Sequence, residues 1–273
     1  MKNNPIGVFD SGVGGLSLLR CIREELPGED IIYIADSRHA PYGDKTSVYI
    51  EGRAIAMSEF LVEKKAKAIV VACNTATAAA IKKLREIHSV PIIGIEPGVK
   101  PAMAITKSGT VGILATTETL KSEKFRALAE RFRNDCEIVT QACPGLVEKV
   151  EQISLTDNET VELVEKYLGT LMSKGADTIV LGCTHYLFLT DIIRKIAGEN
   201  INVIDTGKAV AKEVCRRLKE ADILSKGSRI GREYFYTSGD TEKVTVIIRH
   251  LWNEEAEVKP LPERYLEAGE AGV

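Results

Sequence analysis

Short apolar runs rich in β-branched residues alternate along this chain with longer stretches whose apolar residues recur every three or four positions. The runs include Ile6-Gly7-Val8, Ile31-Ile32-Tyr33-Ile34-Ala35, Ala68-Ile69-Val70-Val71-Ala72 and Pro91-Ile92-Ile93-Gly94. Four more follow: Val111-Gly112-Ile113, Ile138-Val139-Thr140-Gln141-Ala142, Thr178-Ile179-Val180-Leu181 and Asn202-Val203-Ile204-Asp205. Continuous apolar runs of this length suit parallel strands buried on both faces. Between them, Ile50, Ala54, Met57 and Leu61 fall on one helical face, as do Phe125, Leu128, Ala129 and Phe132, and Val161, Val164, Leu168 and Leu171. Thr156 and Glu159 are expected to form a capping box for the last of these helices. The alternation predicts an α/β architecture, with parallel sheets covered by helices.

The first four runs pair in order with the next four. Their offsets are 105, 107, 110 and 111 positions, a slow drift in one direction that loop insertions would produce. A duplicated βα unit is the expectation: two pseudo-symmetric parallel-sheet α/β domains with the active site at their interface. The break is placed near Pro97-Gly98 and the close of the second half near Asp205-Thr206-Gly207. Three later elements have no partner in the repeat: a helix bearing Val210, Val214 and Leu218, a strand from Tyr234 to Thr237, and a helix through Ile247, Ile248 and Leu251. They are expected to pack back on the first half. Residues 1–98 plus 208–273 then form one domain and 99–207 the other, with a frayed tail from about Ala268.

At 273 residues the chain can bury a substantial core. Its net charge of −3 is spread over helical faces of mixed sign, so no basic surface for nucleic acid is expected. The first apolar run stops at Asp10 and no later one approaches bilayer length, which argues against a signal peptide or membrane anchor. The chain opens at its first strand, so an effector site on an amino-terminal extension is not expected. Six cysteines without dense spacing fit reduced thiols, and hence a cytoplasmic protein, better than a disulfide framework.

Chemistry enters at the ends of two matched strands, in Ala72-Cys73-Asn74-Thr75 and Gly182-Cys183-Thr184-His185. Open parallel sheets place ligands at the carboxyl ends of their strands. Two thiols in matching settings are placed to face opposite sides of one small molecule. A thiol, with an ordinary pKa of about 8.5, can carry a proton if a neighbouring acid or base assists. Asp10 and His185 stand in such positions, whereas Cys21, Cys136, Cys143 and Cys215 lack this setting. The spacing fits no common zinc pattern, and no Cys-x-x-Cys pair exists for redox work. Phe9-Asp10-Ser11-Gly12-Val13-Gly14-Gly15 is a glycine-rich strand-to-helix turn, but Ser17 stands where a dinucleotide fingerprint needs glycine. Gly12 likewise stands where aspartyl phosphatases need a second Asp. The turn is read as a carboxylate site, its amides and the Ser11 hydroxyl donating.

Four motifs in order then carry a family resemblance: Asp10-Ser11-Gly12-Val13-Gly14-Gly15-Leu16-Ser17, Pro41-Tyr42-Gly43, Ala72-Cys73-Asn74-Thr75-Ala76 and Gly182-Cys183-Thr184-His185-Tyr186. Together they resemble the cofactor-independent glutamate racemases of the aspartate/glutamate racemase group, over about Ile6 to Leu218. His185 favours glutamate, since the aspartate enzymes carry Glu at that place. The resemblance implies interconversion of L- and D-glutamate by proton transfer at the α-carbon, supplying D-glutamate for peptidoglycan synthesis. It implies no cofactor, no metal and a homodimer. It gives Cys73 the deprotonation of D-glutamate with Asp10 as partner, and Cys183 that of L-glutamate with His185 assisting. Ser11, Tyr42, Gly43, Asn74, Thr75 and Thr184 become the expected substrate contacts.

Two departures affect further residues. Glu118 stands where the family's Ala-Thr-x-Gly-Thr has glycine, which leaves Thr116 and Thr119 as candidate contacts. After Cys143-Pro144 the register aligns Glu151, rather than Glu148, with the family's acidic residue beside the second cysteine. An acidic substrate other than glutamate, such as aspartate, and a catalytically silent binding protein stay open as alternatives.

Overall fold

The computed structural model describes residues 2–225 and 229–267, and contains ten strands and eleven α-helices among them. The strands are β1 (Ile6–Asp10), β2 (Ile31–Ala35), β3 (Ala68–Val71), β4 (Ile92–Gly94), β5 (Thr110–Ala115), β6 (Glu137–Ala142), β7 (Thr178–Leu181), β8 (Asn202–Ile204), β9 (Glu233–Thr237) and β10 (Val258–Pro260). The helices of the first half are α1 (Leu16–Glu25), α2 (Ser47–Glu63) and α3 (Asn74–Ile87). Next come α4 (Val99–Met103), α5 (Thr117–Lys121), α6 (Glu123–Arg131), α7 (Leu146–Glu151), α8 (Asn158–Met172) and α9 (Thr190–Ala197). The last two are α10 (Gly207–Glu220) and α11 (Thr241–Leu251). No helix among the described residues is long and apolar enough to cross a membrane.

Two parallel sheets form, with strand orders β10-β9-β2-β1-β3-β4 and β6-β5-β7-β8. The second repeats the inner order of the first, and the repeat extends to hydrogen-bond register. Ile6 lies opposite Ile31 and Ala68, and Val111 lies opposite Ile138 and Thr178, so the pairing follows the sequence offsets. The repeated glycine has a packing cause. A Cβ on Gly7 would come within 2.8 Å of Leu61 on α2, and one on Gly112 within 2.9 Å of Leu171 on α8. The strands β9 and β10 extend the first sheet beyond β2.

One buried apolar cluster joins the halves. It combines Leu16 and Leu19 of α1, Val210 and Val214 of α10, and Leu146, Tyr186 and Leu189 from the second half. The helical face of Ile50, Ala54, Met57 and Leu61 is buried against the other face of the first sheet. The cap of α8 differs from expectation. Asp157, not Thr156, takes extended backbone at the N-cap and accepts the Thr160 amide at 2.7 Å. Its carboxylate provides the acceptor one residue later than the capping-box pattern places it. The tail from Ala268 lies outside the described residues.

Candidate active site

The parallel order brings the carboxyl ends of β1 and β3 together, and with them Asp10 and Cys73. Asp10 is completely buried. Its Oδ2 accepts the Gly15 amide at 2.6 Å and the Thr184 hydroxyl at 3.5 Å. Its Oδ1 has no hydrogen-bond partner among the described residues. Burial raises the Asp10 carboxyl above the usual carboxylate range, against the opposing pull of the His185 charge and nearby amides. Cys73 caps α3, accepting the Ala76 amide at 3.4 Å and donating to Ser11 Oγ at 3.7 Å. Burial and then the Asp10 carboxylate push this thiol up, so it holds its proton at neutral pH. The next side chain, Asn74, is buried with neither polar atom paired among the described residues.

From the other sheet, β7 is followed by Gly182 and Cys183 and then by a 3-10 turn over Thr184–Leu189. Cys183 Sγ lies 3.8 Å from His185 Nδ1, and His185 Nε2 lies 2.7 Å from Glu151 Oε1 at the end of α7. Burial alone would lower the imidazole pKa. The hydrogen bonds to Cys183 and Glu151 and the charge of Asp10 outweigh it and hold His185 well above its ordinary value. The ring is therefore an imidazolium at neutral pH, donating from Nε2 to Glu151.

The glycine-rich turn after β1 supports this second constellation. Val13 donates its amide to Glu151 Oε1 at 2.7 Å, and the Gly14 amide lies 3.2 Å from His185 Nε2. A Cβ on Gly12 would stand 1.9 Å from Glu151 Oε1, and one on Gly14 would stand 2.2 Å from His185 Nδ1. The turn was expected to hold a substrate carboxylate. Instead, the amides of Val13 and Gly15 are taken by the carboxylates of Glu151 and Asp10. The reason is steric: glycines at 12 and 14 let side chains of the second half approach the backbone. Glu148, the other acidic candidate, lines the mouth of the cleft.

Hydroxyls bridge the two halves. Thr75 Oγ1 lies 2.9 Å from Thr116 Oγ1 and 3.1 Å from Thr119 Oγ1, and Thr116 donates to Thr119 at 2.9 Å. Gly43 packs against Thr116, where a Cβ would come within 2.9 Å of the Thr116 Cβ. Tyr42, one of the expected substrate contacts, is buried with its hydroxyl donating to Asp36 Oδ2 at 2.5 Å. The mouth between Gly43, Thr116, Cys143 and Glu148 encloses only about 20 Å³. A groove of about 850 Å³ lies between α6 and β6 and touches none of the candidate residues. Among the described residues, no three His, Cys, Asp or Glu side chains converge in a group able to hold a metal ion.

Three further residues at the site were not singled out in the sequence. Tyr33 donates to the Gly12 carbonyl at 2.7 Å and so holds the turn. Cys143 is buried near Cys183, and burial pushes the Cys143 thiol up. Arg53 pairs with Asp36, both completely buried. Its signal was legible, because Arg53 falls on the same helical stripe as Ile50, Ala54, Met57 and Leu61.

A family model described as Asp/Glu/Hydantoin racemase matches residues 6–214. A glutamate racemase of Methylococcus capsulatus is 51% identical over 261 residues, covering 96% of each chain. The crystal structure of glutamate racemase isoform RacE1 from Bacillus anthracis superposes with a TM-score of 0.88 at 33% identity, covering 96% of this chain and 99% of that one. Escherichia coli glutamate racemase, solved with L-glutamate and the activator UDP-MurNAc-Ala, superposes at 0.82 with 31% identity, covering 94% and 98%.

Proposed function

Since the chain belongs to the Asp/Glu/Hydantoin racemase family, we propose that it interconverts L- and D-glutamate by proton transfer between the substrate α-carbon and the thiols of Cys73 and Cys183. What supports this reading is the nearness of two unlike acid–base pairs, Cys73 with Asp10 and Cys183 with His185 and Glu151, with Cys183 close enough to act on the Cys73 thiol.

Cys73 is a thiol, since burial and Asp10 both oppose its charge. On the other side an imidazolium lies 3.8 Å from Cys183 Sγ, where it attracts negative charge on the sulfur. In the L-to-D direction, the Cys183 thiolate takes the α-proton as the Cα–H bond breaks. The carbanion then takes a proton from Cys73, so that Cys183 ends as thiol and Cys73 as thiolate. In the reverse direction the roles exchange. His185 and Asp10 hold or return protons on their own sides. The α-ammonium of the bound amino acid supplies the positive charge that Cys73 lacks in the free protein, and a closed, water-poor site strengthens every such attraction.

The unpaired polar atoms of Asp10 and Asn74, with the hydroxyls of Ser11, Thr75, Thr116, Thr119 and Thr184, are the groups assigned to the substrate's ammonium and carboxylates. Buried polar atoms without partners cost about 1–3 kcal/mol each, a penalty that a ligand completing those bonds removes. D-Glutamate formed in this way serves peptidoglycan synthesis.

Polarimetry tests the reading. The purified protein, with nothing added, should abolish the optical rotation of either glutamate enantiomer and leave that of aspartate unchanged. A folded protein that leaves both glutamate rotations unchanged overturns it.

A further inference from the structure

Asp36, Arg53 and Tyr42 form a buried group for which the proton-transfer chemistry has no use. Asp36 follows β2, and its amide donates to the Asp10 carbonyl at 3.0 Å. Arg53 grips its carboxylate with both arms, Nη2 to Oδ1 at 2.8 Å and Nε to Oδ2 at 2.9 Å. Tyr42 adds its hydroxyl to Oδ2. The grip extends to the carboxyl-terminal segment. Arg53 Nη1 donates to the Leu266 carbonyl at 3.3 Å, and His39 Nε2 lies 2.9 Å from the same oxygen.

The internal repeat supplies a control for what this group is for. The position matching Asp36 in the second half is Cys143, whose amide donates to the Ala115 carbonyl at 3.1 Å, just as the Asp36 amide does to Asp10. The sheet end therefore forms without a carboxylate or a guanidinium. A buried ion pair also costs several kcal/mol of desolvation per ion before any attraction is counted, so it is a poor device for fold stability alone. What the first half has in addition is the Tyr42–Gly43 turn, which Asp36 holds by the Tyr42 hydroxyl and which meets Thr116 across the cleft.

We propose that Asp36, Arg53 and Tyr42 act as positioning residues that set the Tyr42–Gly43 turn as a fixed wall of the glutamate cleft, with the Leu266 carbonyl locking the grip from the carboxyl-terminal segment. This rests on the glutamate racemase reading. The wall meets the substrate but carries no proton, so it affects binding of both enantiomers alike and leaves the chemical step to the thiols. Removing an interaction of that kind raises KM and spares kcat.

Tyr42→Phe is the cleanest probe, since it deletes one hydrogen bond and leaves the buried ion pair whole. It should raise KM for L- and D-glutamate, and the calorimetric Kd of each, by about 10-fold, the worth of one well-placed hydrogen bond, with kcat nearly unchanged. Arg53→Lys keeps the charge and loses the fork, and should move KM in the same direction. In the double variant the fold-change should be smaller than the product of the two single fold-changes, because both act through Asp36. Wild-type KM and Kd in Tyr42→Phe, with only a lowered Tm, overturn the proposal and leave the group purely structural. Tyr42→Phe decides the matter even if Arg53→Lys does not fold. A wild-type protein that binds neither enantiomer overturns this proposal and the racemase reading together. Wild-type racemisation alongside an unaltered Tyr42→Phe overturns this one alone.

Discussion

Glu151→Gln isolates the charge that holds His185 protonated. The change keeps the shape of the side chain and an oxygen for the Val13 amide, and it removes a negative charge 2.7 Å from His185 Nε2. An opposite charge at such a distance shifts a pKa by about 1–3 units, and each unit is about 1.4 kcal/mol. His185 is fully buried, so little solvent screening reduces that figure. The imidazole pKa should therefore fall by about 1–3 units, read from the nitrogen chemical shifts of the ring titrated by NMR. The stability consequence has a defined sign. His185 titrates in the folded protein above its unfolded value of 6.5. Its contribution is thus fully present below about pH 6.5 and is lost as pH rises through the folded pKa. Glu151→Gln should cost about 1.4–4 kcal/mol near pH 6, a Tm loss of about 3 °C or more, and progressively less at alkaline pH. With α-deuterated substrates, the isotope effect should change for L-glutamate and stay as in the wild type for D-glutamate. An unshifted His185 titration, or a destabilisation that grows with pH, would refute the reasoning.

Gly14→Ala should displace the His185 ring, because the new Cβ would stand 2.2 Å from Nδ1 and a buried ring cannot swing aside as a flexible chain end can. Misplacement of that size should lower kcat by about 100-fold with the fold retained by circular dichroism; wild-type kcat would contradict it. Because burial and Asp10 push the Cys73 thiol up, Cys73→Ser should leave the ultraviolet thiolate absorbance of the ligand-free protein unchanged between about pH 7 and pH 9. A loss of absorbance in that range would show that Cys73 ionises in the free protein.

Much of the fold was legible because the repeat is written in offsets. The drift that separates Ile6 from Val111 and Ala68 from Thr178 reappears as strand register, and the paired glycines mark matched helix contacts. The cap of α8 was misplaced by one residue, since Thr156 and Asp157 are both good caps and only the backbone decides between them. In the site, strand order brings Asp10 to Cys73, and the turn directly after β7 sets His185 beside Cys183. The role of the glycine-rich turn was not legible. Its local pattern signals open amides, while Glu151, which takes the Val13 amide, and His185, whose ring lies against Gly14, are 138 and 171 residues away. The partner of the Tyr42 hydroxyl was not legible for a similar reason, because Asp36 is fixed by Arg53 from another element. A charged residue on an otherwise apolar stripe of α2 was the available sign of that cluster.

The central claim is that two thiols share the work at one α-carbon, and turnover of each enantiomer in deuterium oxide tests it most directly. Each thiol exchanges its proton with solvent between turnovers. In early turnover of L-glutamate, the D-glutamate formed should carry deuterium at the α-carbon, while the recovered L-glutamate keeps its protium. The mirror result should hold starting from D-glutamate. Cys73→Ala and Cys183→Ala should each abolish racemisation, and Cys21→Ala should not. Deuterium entering recovered substrate as fast as product, or product that retains the original protium, would mean that a single base serves both faces, and the two-thiol account would be wrong.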